Sequence, residues 1–105
     1  RRRTPLAGIF AVRVHGITQA GQRLPPRDGV ASLGTRPTVD GVGMLLEAHV
    51  FDFSGDLYGQ ELEVEFVQRL REELKFDSLD ALTVQMNRDA EAARAILANP
   101  VSGSI

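Results

Sequence analysis

The chain has 105 residues, 43% of them hydrophobic, and a formal net charge of −2. That is one small domain, residues 1–105, with room for a single core and a marginal surface-to-volume ratio. The acidic balance and the six scattered aromatics, five Phe and one Tyr, argue against a nucleic-acid partner, and the lack of cysteine removes disulfides and thiolate metal sites.

Arg1, Arg2 and Arg3 precede Thr4-Pro5 and read as a solvated linker. No apolar h-region follows, and no apolar run approaches the roughly 20 residues that span a bilayer, so the expected setting is cytoplasmic with no membrane partner. Ile9 to Val14 predicts a strand with Phe10, Val12 and Val14 on one face. Gly16 to Arg27 is turn-rich, and Pro25-Pro26 blocks regular pairing there. Val30 to Leu33 predicts a second short strand. Gly34 to Thr38 follows as a loop stiffened by Pro37, which fixes its own φ and pushes Arg36 toward extended geometry. Gly41 and Gly43 punctuate before a strand from Met44 to Phe53, and Ser54-Gly55-Asp56 reads as a turn. A fourth strand is expected over Glu61 to Val67, where Leu62, Val64 and Phe66 alternate with Glu61, Glu63 and Glu65.

After the strands the period changes. Leu82, Met86, Ala90, Ala93 and Leu97 recur at helical spacing, Asp77 or Ser78 can cap the first turn, and Asn99-Pro100 ends the element, predicting a helix over about 78–98. Between strand and helix, Glu72 and Lys75 have the spacing of a helical ion pair. Several strands closed by one helix predict a mainly β fold, a small antiparallel barrel with the helix packed on it.

Glu47 is the residue that asks for a chemical reason. Alternation puts Leu46, Ala48 and Val50 on one side of its strand and Leu45, Glu47, His49 and Phe51 on the other. The pattern predicts a half-buried carboxylate among large apolar neighbours, which calls for either an ion-pair partner or a role as general base. Familiar phosphate motifs are missing: there is no G-x-x-x-x-G-K-[ST], and Gly41-Val42-Gly43 lacks both the third glycine and a following helix. Asp52 and Asp56 flank Ser54 without the rest of a calcium loop, so a turn is expected there. His15 and His49 are too few for a zinc site.

Three blocks in order, GVASLGTRPT, LLEAHVFDFSGDLYG and LREELKF, followed by SLDALTVQMNRDAEAAR, resemble the riboflavin kinase module of the bacterial bifunctional riboflavin kinase and FAD synthetase family. The resemblance runs from about Pro5 to Arg94. It implies a Greek-key barrel of six strands, and transfer of a phosphoryl group from ATP, with Mg2+, to riboflavin to make FMN and ADP. It implies Glu47 as the base toward the ribityl 5'-hydroxyl, and Thr35, Arg36, Pro37 and Thr38 as a flap near flavin and phosphates, although the family commonly has Asn where this chain has Arg36. It also places Arg71 on the flavin side, with Phe76 anchoring its segment, and makes Asp56 to Gly59 a structural turn.

The family's Gly-rich turn and Pro-Thr-Ala-Asn segment, which hold nucleotide phosphates and magnesium, have no counterpart in these residues. The resemblance therefore implies the C-terminal part of a kinase module, inactive alone, within a protein that also carries an N-terminal adenylyltransferase domain. A barrel truncated in this way has an unpaired strand edge on Ile9 to Val14 or a neighbour, inviting self-association or cover by Arg1 to Leu6. The other reading of the same barrel is a non-catalytic flavin-binding module.

Overall fold

The computed structural model describes residues 7–54 and 59–98. The Arg1 to Leu6 segment and most of the Asp56 to Gly59 turn lie outside the described residues. Four strands and one helix follow in order: β1 Gly8–Ile17, β2 Arg27–Thr38, β3 Gly41–Val50, β4 Glu61–Arg71 and α1 Leu79–Leu97. All strand pairs are antiparallel, and the sheet order is β3-β2-β1-β4. Three hairpin-linked strands with the fourth returning beside the first is the Greek-key order.

The strand β1 is central, paired with β2 on one side and β4 on the other. The edges of the described sheet are therefore β3 and β4, and the six strands implied by the resemblance are reduced to four among the described residues. Two register shifts between β1 and β4, at Ile9/Phe10 and Ala11/Val12, mark bulges that bend the sheet.

Alternation gives the sheet two apolar faces. Phe10, Val12, Val14 and Ala31 form one buried cluster, supported by Leu33, Val50, Val64 and Phe66. The rings of Phe10 and Phe66 lie 4.9 Å apart between centroids. On the opposite face Ala11, Phe51, Ala93 and Leu97 form a second cluster under α1, joined by Val30, Val67, Leu70 and Ala90. The C-terminal half of the helical stripe is thus core, as its period requires. Ser78 is the N-cap: its extended backbone (φ −147°) lets Oγ accept the Ala81 N–H at 3.1 Å, a bond worth about 1 kcal/mol.

Three expectations change. The strand expected to run to Phe53 ends at Val50, because Phe51 and Asp52 turn the chain and Asp52 takes a left-handed φ of 55°. Gly34 to Thr38 is strand, not loop: it pairs residue by residue with Met44 to Gly41 and Leu45, leaving a two-residue hairpin tip at Val39-Asp40. Pro37 is tolerated because β1 stops at Gly8 opposite Leu33, so this arm of β2 has one partner only. Glu72 and Lys75 belong to no helix; residues 72–76 form an irregular connector from β4 to α1.

Candidate active site

The register fixes which side chains can meet. Val30 belongs to the cluster under α1, and its cross-strand partner is His49; two residues along, Ser32 lies opposite Glu47. Glu47, His49 and Ser32 therefore all face the helix side of the sheet. A cleft of about 500 Å³ opens there, between β3 and the first half of α1, with β2 as its floor. Glu47 and His49 line one wall, Leu82, Met86 and Ala90 the other, and Arg36, Arg71, Glu73, Leu74 and Phe76 also border it.

Glu47 is exposed rather than half-buried. The helix packs over β1, β2 and β4, and β3 is the edge strand beyond that cover, so the apolar neighbours expected from alternation do not close over the carboxylate. Among the described residues no salt bridge to Glu47 is formed, and the residue lines the cleft.

Glu73, on the connector, sits across β2. Ser32 Oγ donates to Glu73 Oε2 at 3.1 Å, and Arg36 Nη2 is 3.7 Å from the same oxygen. The carboxylate lies against the Cα of Gly34, in space that any Cβ would occupy. Arg36 Nη1 also donates to its neighbour's carbonyl, Thr35 O, at 2.7 Å. Of the expected flap residues, Arg36 borders the cleft, while Thr35, Pro37 and Thr38 lie exposed along the hairpin arm opposite Met44, Val42 and Gly41.

Arg71 is brought to the helix side by the bulges, opposite Ile9. Its Nε and Nη2 donate to the two carboxylate oxygens of Asp89 at 2.9 and 2.7 Å, and Nη1 donates to Glu72 O at 2.8 Å. Gln85 adds a third donor to Asp89 at 3.0 Å. Burial by itself would raise the Asp89 pKa; the hydrogen bonds from Arg71 and Gln85 and the Arg71 charge outweigh it and hold the carboxyl below its ordinary range. The Phe76 ring lies beneath the guanidinium, whose central carbon is 5.9 Å from the ring centre. Arg71 thus borders the cleft while its Nε and one Nη2 N–H tie helix to sheet.

Glu73, Ser32 and Asp89 are the residues that sequence reasoning left without a role. Asp89 carried a usable signal: it falls three residues after Met86 on the apolar stripe, where an acid needs a partner. A second hollow of about 530 Å³ lies at the other face, bordered by Val14, Leu24, Pro25, Arg27, Phe53 and Leu62. Among the described residues Arg27, packed 4.9 Å from the Phe53 ring centre, is its one charged lining residue.

A single cleft thus combines a carboxylate on a strand, an exposed guanidinium and an apolar wall. Residues 1–97 match the riboflavin kinase (flavokinase) family model. The chain belongs to the riboflavin kinase family. It is similar to the bifunctional riboflavin kinase/FMN adenylyltransferase of Pseudomonas fluorescens, 50% identical over 99 residues that cover 93% of this chain and 30% of that protein. The protein of the same name from Haemophilus influenzae is 45% identical over 95 residues, covering 90% of this chain and 29% of the relative. A solved chain described as a macrolide-efflux protein from Streptococcus pneumoniae superimposes with a TM-score of 0.73 at 34% identity, over 88% of this chain and 28% of the other. The chain therefore spans about 30% of the length of the curated relatives it matches. Among the described residues no helix is long and apolar enough to cross a membrane.

Proposed function

We infer that this riboflavin kinase family domain binds riboflavin in the cleft between β3 and α1 and takes part in transferring the terminal phosphoryl group of ATP to its 5'-hydroxyl, yielding FMN and ADP. The observation that carries the reading is Glu47: an exposed carboxylate on the cleft wall, facing the apolar surface of Leu82, Met86 and Ala90. An isoalloxazine ring needs an apolar wall of this kind, and a primary alcohol attacking phosphorus needs a base that accepts its proton as the bond forms. Glu47 fills the second role and the first half of α1 the first. Arg36, at the cleft border, supplies a mobile positive charge to phosphate oxygens. Thr35, Pro37 and Thr38 act as the arm that carries Arg36, and Arg71 acts by holding α1 in place.

Riboflavin kinases use a nucleotide with a divalent metal. Among the described residues no group of three or more His, Asp or Glu side chains is arranged to hold a metal ion by itself. The relatives' second activity, FMN adenylyltransferase, leads us to assign the domain to a bifunctional, cytoplasmic flavin-synthesising protein whose other domain consumes the FMN made here.

The test is Glu47→Gln in the whole polypeptide that carries the domain, with riboflavin binding and FMN formation measured separately. Gln keeps the shape but cannot take the proton, so turnover is expected to fall about a hundredfold while riboflavin affinity is kept. Turnover near wild type in a folded protein would overturn the base assignment, and unchanged riboflavin binding with no detectable kinase activity in the wild type would favour the non-catalytic flavin module.

A further inference from the structure

The two arginines that border the cleft are held in opposite ways. Arg71 makes a two-point, short contact to Asp89, with side chains only 19% and 8% exposed. Arg36 meets Glu73 at one oxygen and 3.7 Å, with side chains 44% and 34% exposed. A buried fork of hydrogen bonds is costly to break, whereas an exposed single contact is worth little and is readily replaced. Arg36 is therefore the cleft cation that can change partners. Glu73 keeps a second partner when Arg36 leaves it, because Ser32 Oγ donates to the same carboxylate oxygen at 3.1 Å.

We propose that Glu73 is an exchangeable counter-ion for Arg36: a phosphate group entering the cleft displaces Glu73 from the guanidinium, and the carboxylate, kept in place by Ser32, then weakens the hold on that phosphate. A phosphate monoester dianion is the better partner for a guanidinium, since it offers more oxygens and more charge. With Glu73 fixed nearby, the phosphate also feels a like charge at short range. The arrangement discriminates by charge. Riboflavin carries no phosphate and is indifferent to the pair, whereas FMN meets both Arg36 and the repulsion from Glu73, which favours release of a phosphorylated product. The ligand named here rests on the cleft being the flavin site; the exchange itself needs only a phosphate.

Glu73→Gln tests it, since Gln can still accept the Ser32 hydrogen bond. Riboflavin and FMN affinities are measured by flavin fluorescence for the wild type, Glu73→Gln, Arg36→Gln and the double variant, at low ionic strength. Expected for Glu73→Gln is FMN binding tighter by about two- to fivefold, the range of one exposed ion pair, with riboflavin affinity unchanged and no gain in the double variant. A shift common to both flavins, or none, overturns the proposal. A second arm uses pyrophosphate alone, followed by the Arg36 Nε–H NMR resonance: tighter binding to Glu73→Gln supports the exchange, and equal or absent binding overturns it. If pyrophosphate behaves as expected while neither flavin binds, the flavin reading of the cleft fails and the exchange stands.

Discussion

Arg71 and Asp89 join the end of β4 to the middle of α1 through two hydrogen bonds of 2.9 and 2.7 Å. Asp89 is 6% exposed and, with His15, one of two buried polar residues among the described residues. The helix contributes one wall of the cleft and the sheet the other, so this pair sets the spacing between them. Three of the five Arg71 N–H donors are taken up in this way, by Asp89 and by the Glu72 carbonyl.

Removing one partner leaves the other buried and uncompensated. Asp89→Ala is expected to destabilise the domain by about 3 kcal/mol, which urea unfolding followed by circular dichroism measures. Arg71→Lys keeps the charge but loses the planar fork, and is expected to recover only part of that loss. A change below about 0.5 kcal/mol for Asp89→Ala, the range of surface substitutions, would show that the pair is not what fixes the helix.

The same pair gives a pH signature. The folded-state pKa of Asp89 is lowered from its ordinary 3.8, the Arg71 and Gln85 hydrogen bonds outweighing the effect of burial. A depressed carboxylate stabilises the fold fully above the unfolded pKa, and that contribution is lost as pH falls through the folded value. Stability is therefore expected to drop below about pH 4, and the drop to shrink in Asp89→Asn. A wild type and an Asp89→Asn variant with parallel acid-denaturation profiles would contradict this.

Much of this fold is legible in the sequence because its period is legible. The Leu62, Val64 and Phe66 alternation put Val64 and Phe66 against Phe10 and Val12, and Ala93 and Leu97 close the second core as the helical stripe requires. What local pattern cannot supply is which strand lies at an edge. Glu47 alternates as expected, yet its burial depends on whether α1 reaches over β3, a long-range fact. Gly34 to Thr38 read as a loop because Gly and Pro dominate it, but a strand paired on one side only tolerates both. Asp89 with Arg71, and Ser32 with Glu73, are separated by 18 and 41 residues, so no spacing rule joins them.

Gly34 separates a packing role from an electrostatic one. A Cβ there would occupy the place of the Glu73 carboxylate, which is the end of a flexible side chain and can swing away. Gly34→Ala is expected to cost no more than about 1 kcal/mol in thermal unfolding, yet to break the Ser32 and Arg36 contacts of Glu73. Its FMN-to-riboflavin affinity ratio should move in the same direction as that of Glu73→Gln. A ratio identical to wild type would mean that Glu73 keeps its contacts by another route.

Met86 tests the apolar wall. It lies on the cleft side of α1 and is 55% exposed, so truncation removes surface available to a ligand more than it opens a cavity in the core. Loss of about one methylene equivalent of contact with a flat aromatic ring weakens binding by about 1 kcal/mol, close to fivefold. Met86→Ala is therefore expected to weaken riboflavin binding about fivefold, to shift the unfolding midpoint little, and to leave turnover at saturating riboflavin near wild type, because the proposed binding mode sets this side chain against the ring and not the reacting hydroxyl. Leu82→Ala, on the preceding turn, should behave the same way but with a larger stability cost, since Leu82 is half-buried. Riboflavin titration by fluorescence quenching decides the matter. Unchanged affinity in both variants would move the flavin off this wall and away from Glu47.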